Sequence, residues 1–77
     1  MSDKTKPGIY RHWKGGFYRV LFTALDSTNA HERRSLVVYV SLNRDYGSIN
    51  VRDEEEFHEM TDVGAGLRAP RFVHVQP

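Results

Sequence analysis

A chain of 77 residues with no cysteine and a formal net charge of +1 has room for one small domain and excludes disulfide staples, thiolate metal sites and cysteine nucleophiles. Its longest apolar run, residues 36–40, is too short to span a bilayer, and the opening Met-Ser-Asp-Lys-Thr-Lys lacks the apolar centre of a signal peptide. A cytoplasmic protein with no membrane partner is expected. The small net charge hides segregation: Asp53, Glu54, Glu55, Glu56, Glu59 and Asp62 form an acidic block free of Lys and Arg, which leaves the remainder of the chain basic.

Residues 1–6 are polar and read as a disordered lead-in, with residues 7–77 forming a single β-barrel domain. Strands are predicted over 8–13 and 17–25, joined by a Lys14-Gly15-Gly16 turn in which both glycines supply the positive φ of a primed two-residue hairpin. In the second strand, Tyr18, Val20, Phe22 and Ala24 alternate with Arg19 and Thr23, so the first set is assigned to the core. The polar stretch 26–34 reads as a loop. Leu36-Val-Val-Tyr-Val-Ser-Leu42 is a buried central strand by its run of β-branched residues. A turn at 43–47 leads to a short strand over 49–52. Asp53 then caps one or two helical turns over 54–60, anchored by Phe57 and Met60, and an acidic first turn suits the helix dipole. Residues 61–70 read as a Gly- and Pro-marked connection, with Gly64-Ala65-Gly66 a flexible linkage, and 71–75 as the fifth strand.

The fold class is therefore mainly β: a small five-stranded antiparallel SH3-like barrel with one short helical turn before the last strand, an OB-like barrel being the next choice. Closure would remove edges that so small a β-protein tolerates poorly.

The run Gly8-Ile-Tyr-Arg-His-Trp-Lys-Gly15, followed by Tyr18-Arg-Val20, Val37-Val-Tyr39, Asp45-Tyr-Gly47, Val51-Arg52 and Phe57, resembles the small bacterial and phage domain known as domain-of-unknown-function family sixteen fifty-three. The resemblance spans residues 7–74 and implies a compact β-barrel with no assigned activity. The family positions that map here are Gly8, Tyr10, Arg11, His12, Lys14, Gly15, Tyr18, Tyr39 and Arg52. Asn50 and Asp53 stand where the family pattern has Trp and Pro, so a ligand pocket lined by that Trp is altered in this chain.

Arg11, His12, Lys14, Tyr39 and Arg52 are the candidate ligand-binding residues. Arg11, Lys14 and Arg52 would pair with charge, and His12 and Tyr39 would hydrogen-bond or stack. The competing reading makes the aromatics barrel core and the basic groups a solvated rim. Because strands send alternate side chains to opposite faces, Tyr10 and His12 share one side while Arg11 and Trp13 share the other. Glu54 and His58 fall on one helical face, but two ligands on one turn do not make a metal site, and no metal or cofactor is assigned. Asp26, Ser27 and His31 carry the residue types of a hydrolytic triad without its geometry. A small binding module without enzymatic activity follows, its partner another protein, since the acidic block would repel nucleic acid if it shared a face with the basic cluster. A nucleic-acid or nucleotide reader built on the basic hairpin, or another anionic small ligand, is the second reading. A small hydrolase using His12 or His31 as base is the third.

Overall fold

The computed structural model describes residues 4–28, 34–43 and 45–77. Its first strands, β1 (Gly8–His12) and β2 (Phe17–Leu25), pair as an antiparallel hairpin with Arg11 opposite Phe17. The turn differs from the expected one. His12 N–H donates to the Gly16 carbonyl and Gly15 N–H to the His12 carbonyl, both at 2.7 Å, so the loop is Trp13-Lys14-Gly15. Gly15 has φ +105° and Gly16 does not enter the positive region. A three-residue hairpin loop needs a single left-handed position, and one glycine suffices.

β3 (Ser35–Ser41) lies between β2 and β4 (Ile49–Asp53), and β7 (Phe72–Gln76) pairs with the other side of β1. The result is a five-stranded antiparallel sheet in the order β4-β3-β2-β1-β7. The predicted SH3-like barrel does not close, nor does an OB-like one: among the described residues β4 and β7 remain the edges of an open sheet. The physical reason is what occupies the inner face. The helical turn α1 (Glu54–Phe57) lies over it and drives Phe57, 0% exposed, into the middle of the core. Phe57 stacks on Phe72 with centroids 4.1 Å apart and planes 4° from parallel, and meets the Tyr10 and Tyr39 rings edge-on at 5.3 and 5.7 Å. Those rings fill the space that edge-to-edge closure would need.

Two further departures concern register. Val20 pairs with Tyr39 but Phe22 with Val38, so Leu21 is an extra residue in β2. A β-bulge shifts the alternation by one and exchanges the faces beyond it. Thr23 is accordingly buried and Phe22 is 52% exposed, the reverse of the predicted assignment. Residues 61–70 are not a plain connection. Met60 leaves the helix and opens β5 (Met60–Gly64), which pairs with β6 (Leu67–Pro70) as a separate two-stranded sheet, with Gly64, Ala65 and Gly66 all at positive φ at its tip.

The N-terminal end of the described chain is tied to α1. Thr5, 5% exposed, donates its hydroxyl proton to the buried Glu54 carboxylate at 2.5 Å, and the same oxygen lies 2.7 Å from His58 Nε2. A hydroxyl has one proton, so His58 Nε2–H is the donor in the second bond. Of the predicted lead-in, residues 1–3 lie outside the described residues. No helix among the described residues is long and apolar enough to cross a membrane.

Candidate functional site

Cross-strand pairing decides which of the predicted residues can act together. On the inner face His12 sits opposite Phe72, Tyr39 opposite Asn50, and Val37 opposite Arg52, so His12, Tyr39 and Arg52 share one side of the sheet. Arg11 does not join them. It lies on the outer face opposite Phe17 and Val73, as strand alternation requires. Lys14 belongs to the hairpin turn, its ammonium 5.3 Å from the centre of the Trp13 ring, where the cation is attracted by the ring quadrupole.

Arg52 is the structural hub of this site. Its Nε donates to the Tyr39 hydroxyl at 3.3 Å, its Nη1 pairs with Glu56 at 2.7 Å, and its Cζ lies 5.9 Å from the Phe72 ring centre. The Tyr39 oxygen accepts from Arg52, which leaves the phenolic proton available. His12 meets the same Phe72 ring edge-on at 4.9 Å and Tyr18 edge-on at 6.3 Å, and stacks on Trp13 at 5.9 Å. Tyr18, Phe72, Trp13 and Arg71 thus complete the site without having been among its candidates. The sequence signal that finds Tyr18 and Phe72 is register: both fall on the His12 face once the pairing is known.

The His12 ring is held in one tautomer. Its Nδ1 accepts from the Lys14 backbone N–H at 3.1 Å, so in the neutral ring the proton resides on Nε2. Burial lowers the His12 pKa below its ordinary 6.5, and the charges of Arg52, Arg71 and Lys14 lower it further. Arg52 and Arg71 do have carboxylate partners, Glu56 and Glu59, but these are 52% and 58% exposed and are screened by water, so the two arginines still act to lower the His12 pKa. The arrangement offers an acceptor-bearing group several donors, His12 Nε2–H, the Tyr39 hydroxyl and the Arg52 guanidinium, set against an aromatic floor.

Asn50, where the family pattern has Trp, faces this site beside Tyr39, and its amide donates to the Ser48 carbonyl and hydroxyl at 3.2 and 3.3 Å. Asp53, where the pattern has Pro, accepts from the N–H groups of Glu55 and Glu56 at 3.0 and 3.4 Å. The acidic block lines a cavity of about 620 Å³, where Asp53, Glu54, Glu55, Glu56 and Glu59 meet Lys4 and Arg34. It adjoins the His12 cluster, because Glu56 and Glu59 in its wall pair with Arg52 and Arg71. Of the triad residue types, Asp26 accepts from Thr28 N–H at 2.9 Å, and His31 lies outside the described residues.

His12 and His58 both carry pKa values below 6.5, His58 through burial first and the nearby Lys4 charge second, against the Glu54 carboxylate. The unfolded chain therefore binds more protons than the folded one between the folded values and 6.5. The stability these rings contribute is complete above about pH 6.5 and is lost as pH falls through the folded pKa values. Thermal melts followed by circular dichroism are expected to show a lower Tm at about pH 5.5 than at about pH 7.5. His58→Gln, which keeps a donor for Thr5 but does not titrate, should flatten part of that slope. An unchanged slope would show that His58 does not contribute to it.

A mainly β domain with cationic and aromatic side chains gathered on one face of an open sheet is the class that this fold defines. The chain belongs to the family of proteins of unknown function DUF1653, whose sequence pattern matches residues 8–74. It is similar over its whole length to the crystal structure of a protein of that family from Bordetella bronchiseptica, with 33% identity, a TM-score of 0.77, and coverage of 100% of this chain and 99% of that one. No curated protein matches it.

Proposed function

We propose that this domain is a binding module whose inner-face site takes an anionic group, a carboxylate or a phosphate. The observation that carries the reading is geometric: His12 and Arg52 pack against the same Phe72 ring, Arg52 donates to the Tyr39 hydroxyl, and the cationic Arg52, Arg71 and Lys14 stand near enough to lower the His12 pKa. Binding fits better than catalysis because the imidazole has no free basic nitrogen. Nδ1 is engaged by Lys14 N–H, and Nε2 is protonated in the neutral ring, so His12 donates to a ligand rather than taking a proton from it. Trp13, stacked on His12 beside the cations, favours a nucleotide over a bare anion, since it adds a surface on which a base can stack.

The test is an NMR titration of the labelled domain with acetate, inorganic phosphate and adenosine monophosphate. The expected result is movement of the His12 ring and Arg52 side-chain signals, weakening with added salt, and a rise in the His12 pKa as bound negative charge offsets its cationic neighbours. A larger response to the nucleotide, with Trp13 signals moving, would identify the stacking ligand. If His12 and Arg52 signals stay in place with all three probes, the site does not bind anions.

A further inference from the structure

The outer face of the sheet is apolar and uncovered among the described residues, and we infer that it docks a protein partner whose surface sets carboxylates among apolar side chains. Pairing lays out the face in rows. Ile49, Val40, Arg19 and Ile9 cross β4 to β1 in one row, Val51, Val38 and Phe22 form the next, and Phe17, Arg11 and Val73 the one on the other side. Val38 and Ile9 are the buried floor, at 8% and 7% exposure. Around them Ile49, Val51, Phe22, Val73 and Phe17 stand 42% to 69% exposed. Together these side chains open on the order of 500 Å² of apolar surface, at the upper end of what monomers leave uncovered and approaching the ~800 Å² per partner of a standard interface.

Charge selects the occupant. Arg19 lies on β2, the middle strand of the sheet, with Arg11 on the neighbouring strand, and neither has a partner among the described residues. No carboxylate stands in those rows. A second copy of this chain fits badly, because a two-fold interface centred on this face places each Arg19 against its own copy and desolvates two like charges in apolar surroundings. Nucleic acid fits badly too. Two guanidiniums set among bare Phe, Ile and Val side chains make no continuous phosphate track, and the apolar surface around them would gain little from a phosphate backbone. A protein surface with apolar side chains for the rows and carboxylates for Arg19 and Arg11 satisfies both features. Such centrally placed arginines, closed off from water by surrounding apolar residues, are where interface energy concentrates.

The experiment uses two synthetic peptides, one alternating Leu with Glu and one alternating Leu with Lys, added to the full chain labelled with nitrogen-15. The Glu peptide is expected to shift backbone signals of Arg19, Phe22 and Val51 and to bind at least ~10-fold more tightly than the Lys peptide, a difference that Arg19→Glu reverses. Arg19 is exposed, so this variant should keep the signal dispersion of the parent. Equal binding of both peptides, no shifts on the outer face, or a concentration-dependent dimer in sedimentation that Val51→Lys dissolves would each overturn the proposal, the last by making a second copy the occupant. The inner-face reading is followed on the His12 ring signals, so the two stand or fall separately.

Discussion

Phe57→Ala is expected to leave most of the chain unfolded at 25 °C. Phe57 is fully buried and touches Tyr10, Tyr39 and Phe72 at once, and truncating such a ring costs about 3–5 kcal/mol in lost transfer energy and residual cavity. A domain of this size has only about 3–5 kcal/mol of stability in total. The loss is concentrated because α1 is a single helical turn, too short to persist alone, and Phe57 is the side chain that holds it to the sheet. Phe17→Ala, at a position 42% exposed on the other face, serves as the control and should shift the urea midpoint only slightly. A Phe57→Ala protein that melts cooperatively within a few degrees of the parent would show that the aromatic core is not what stabilises the open sheet.

Arg52→Gln is expected to raise the His12 pKa with no ligand present and to weaken anion binding by roughly 10- to 100-fold. Arg52 is the first of the three charges that depress His12, so removing it lets the ring accept a proton more readily. A hydrogen bond to a charged group contributes about 1.5–3 kcal/mol, which sets the scale of the affinity loss. Gln retains a donor for the Tyr39 hydroxyl, and Glu56, half-exposed, tolerates the loss of its partner in water, so the fold should hold. The His12 titration is read from its ring signals by NMR. An unchanged value in the variant would mean that Arg52 does not set the potential in this site, and the anion reading would lose its main support.

The two variants differ in how much of their basis can be seen before the fold is known. Phe57 stands out as an isolated large apolar residue in an acidic stretch, and its role as an anchor is legible from that contrast alone. The grouping of His12, Tyr39 and Arg52 is less so: they lie on three strands, and their shared face follows from hydrogen-bond register. Arg11 and Lys14 look like their equals in the linear motif and are separated from them by strand alternation and by the turn. The bulge at Leu21 left no mark in the hydrophobic pattern, since Val20, Leu21, Phe22 and Ala24 are all apolar and either phase of alternation fits them. The β5–β6 hairpin is hidden in the sequence for a different reason. Exposed and half-buried residues do alternate along β5, but the half-buried pair is Thr61 and Val63 while the apolar Met60 and Leu67 face solvent, so the side chains carry no hydrophobic alternation to read.

By itself the sequence determined that the domain is mainly β, where the five strands of its main sheet lie to within a residue or two, that Gly15 turns the first hairpin, and that the chain resembles its family. These rest on local chemistry: β-branched runs, turn residues and a linear motif. Tertiary structure decided that the sheet stays open, that Phe22 faces outward and Thr23 inward, and that Arg52 and His12 both pack against Phe72 while Arg11 does not. Each of those depends on contacts between residues distant in the chain, where a single bulge or one buried ring resets which side chains share a face.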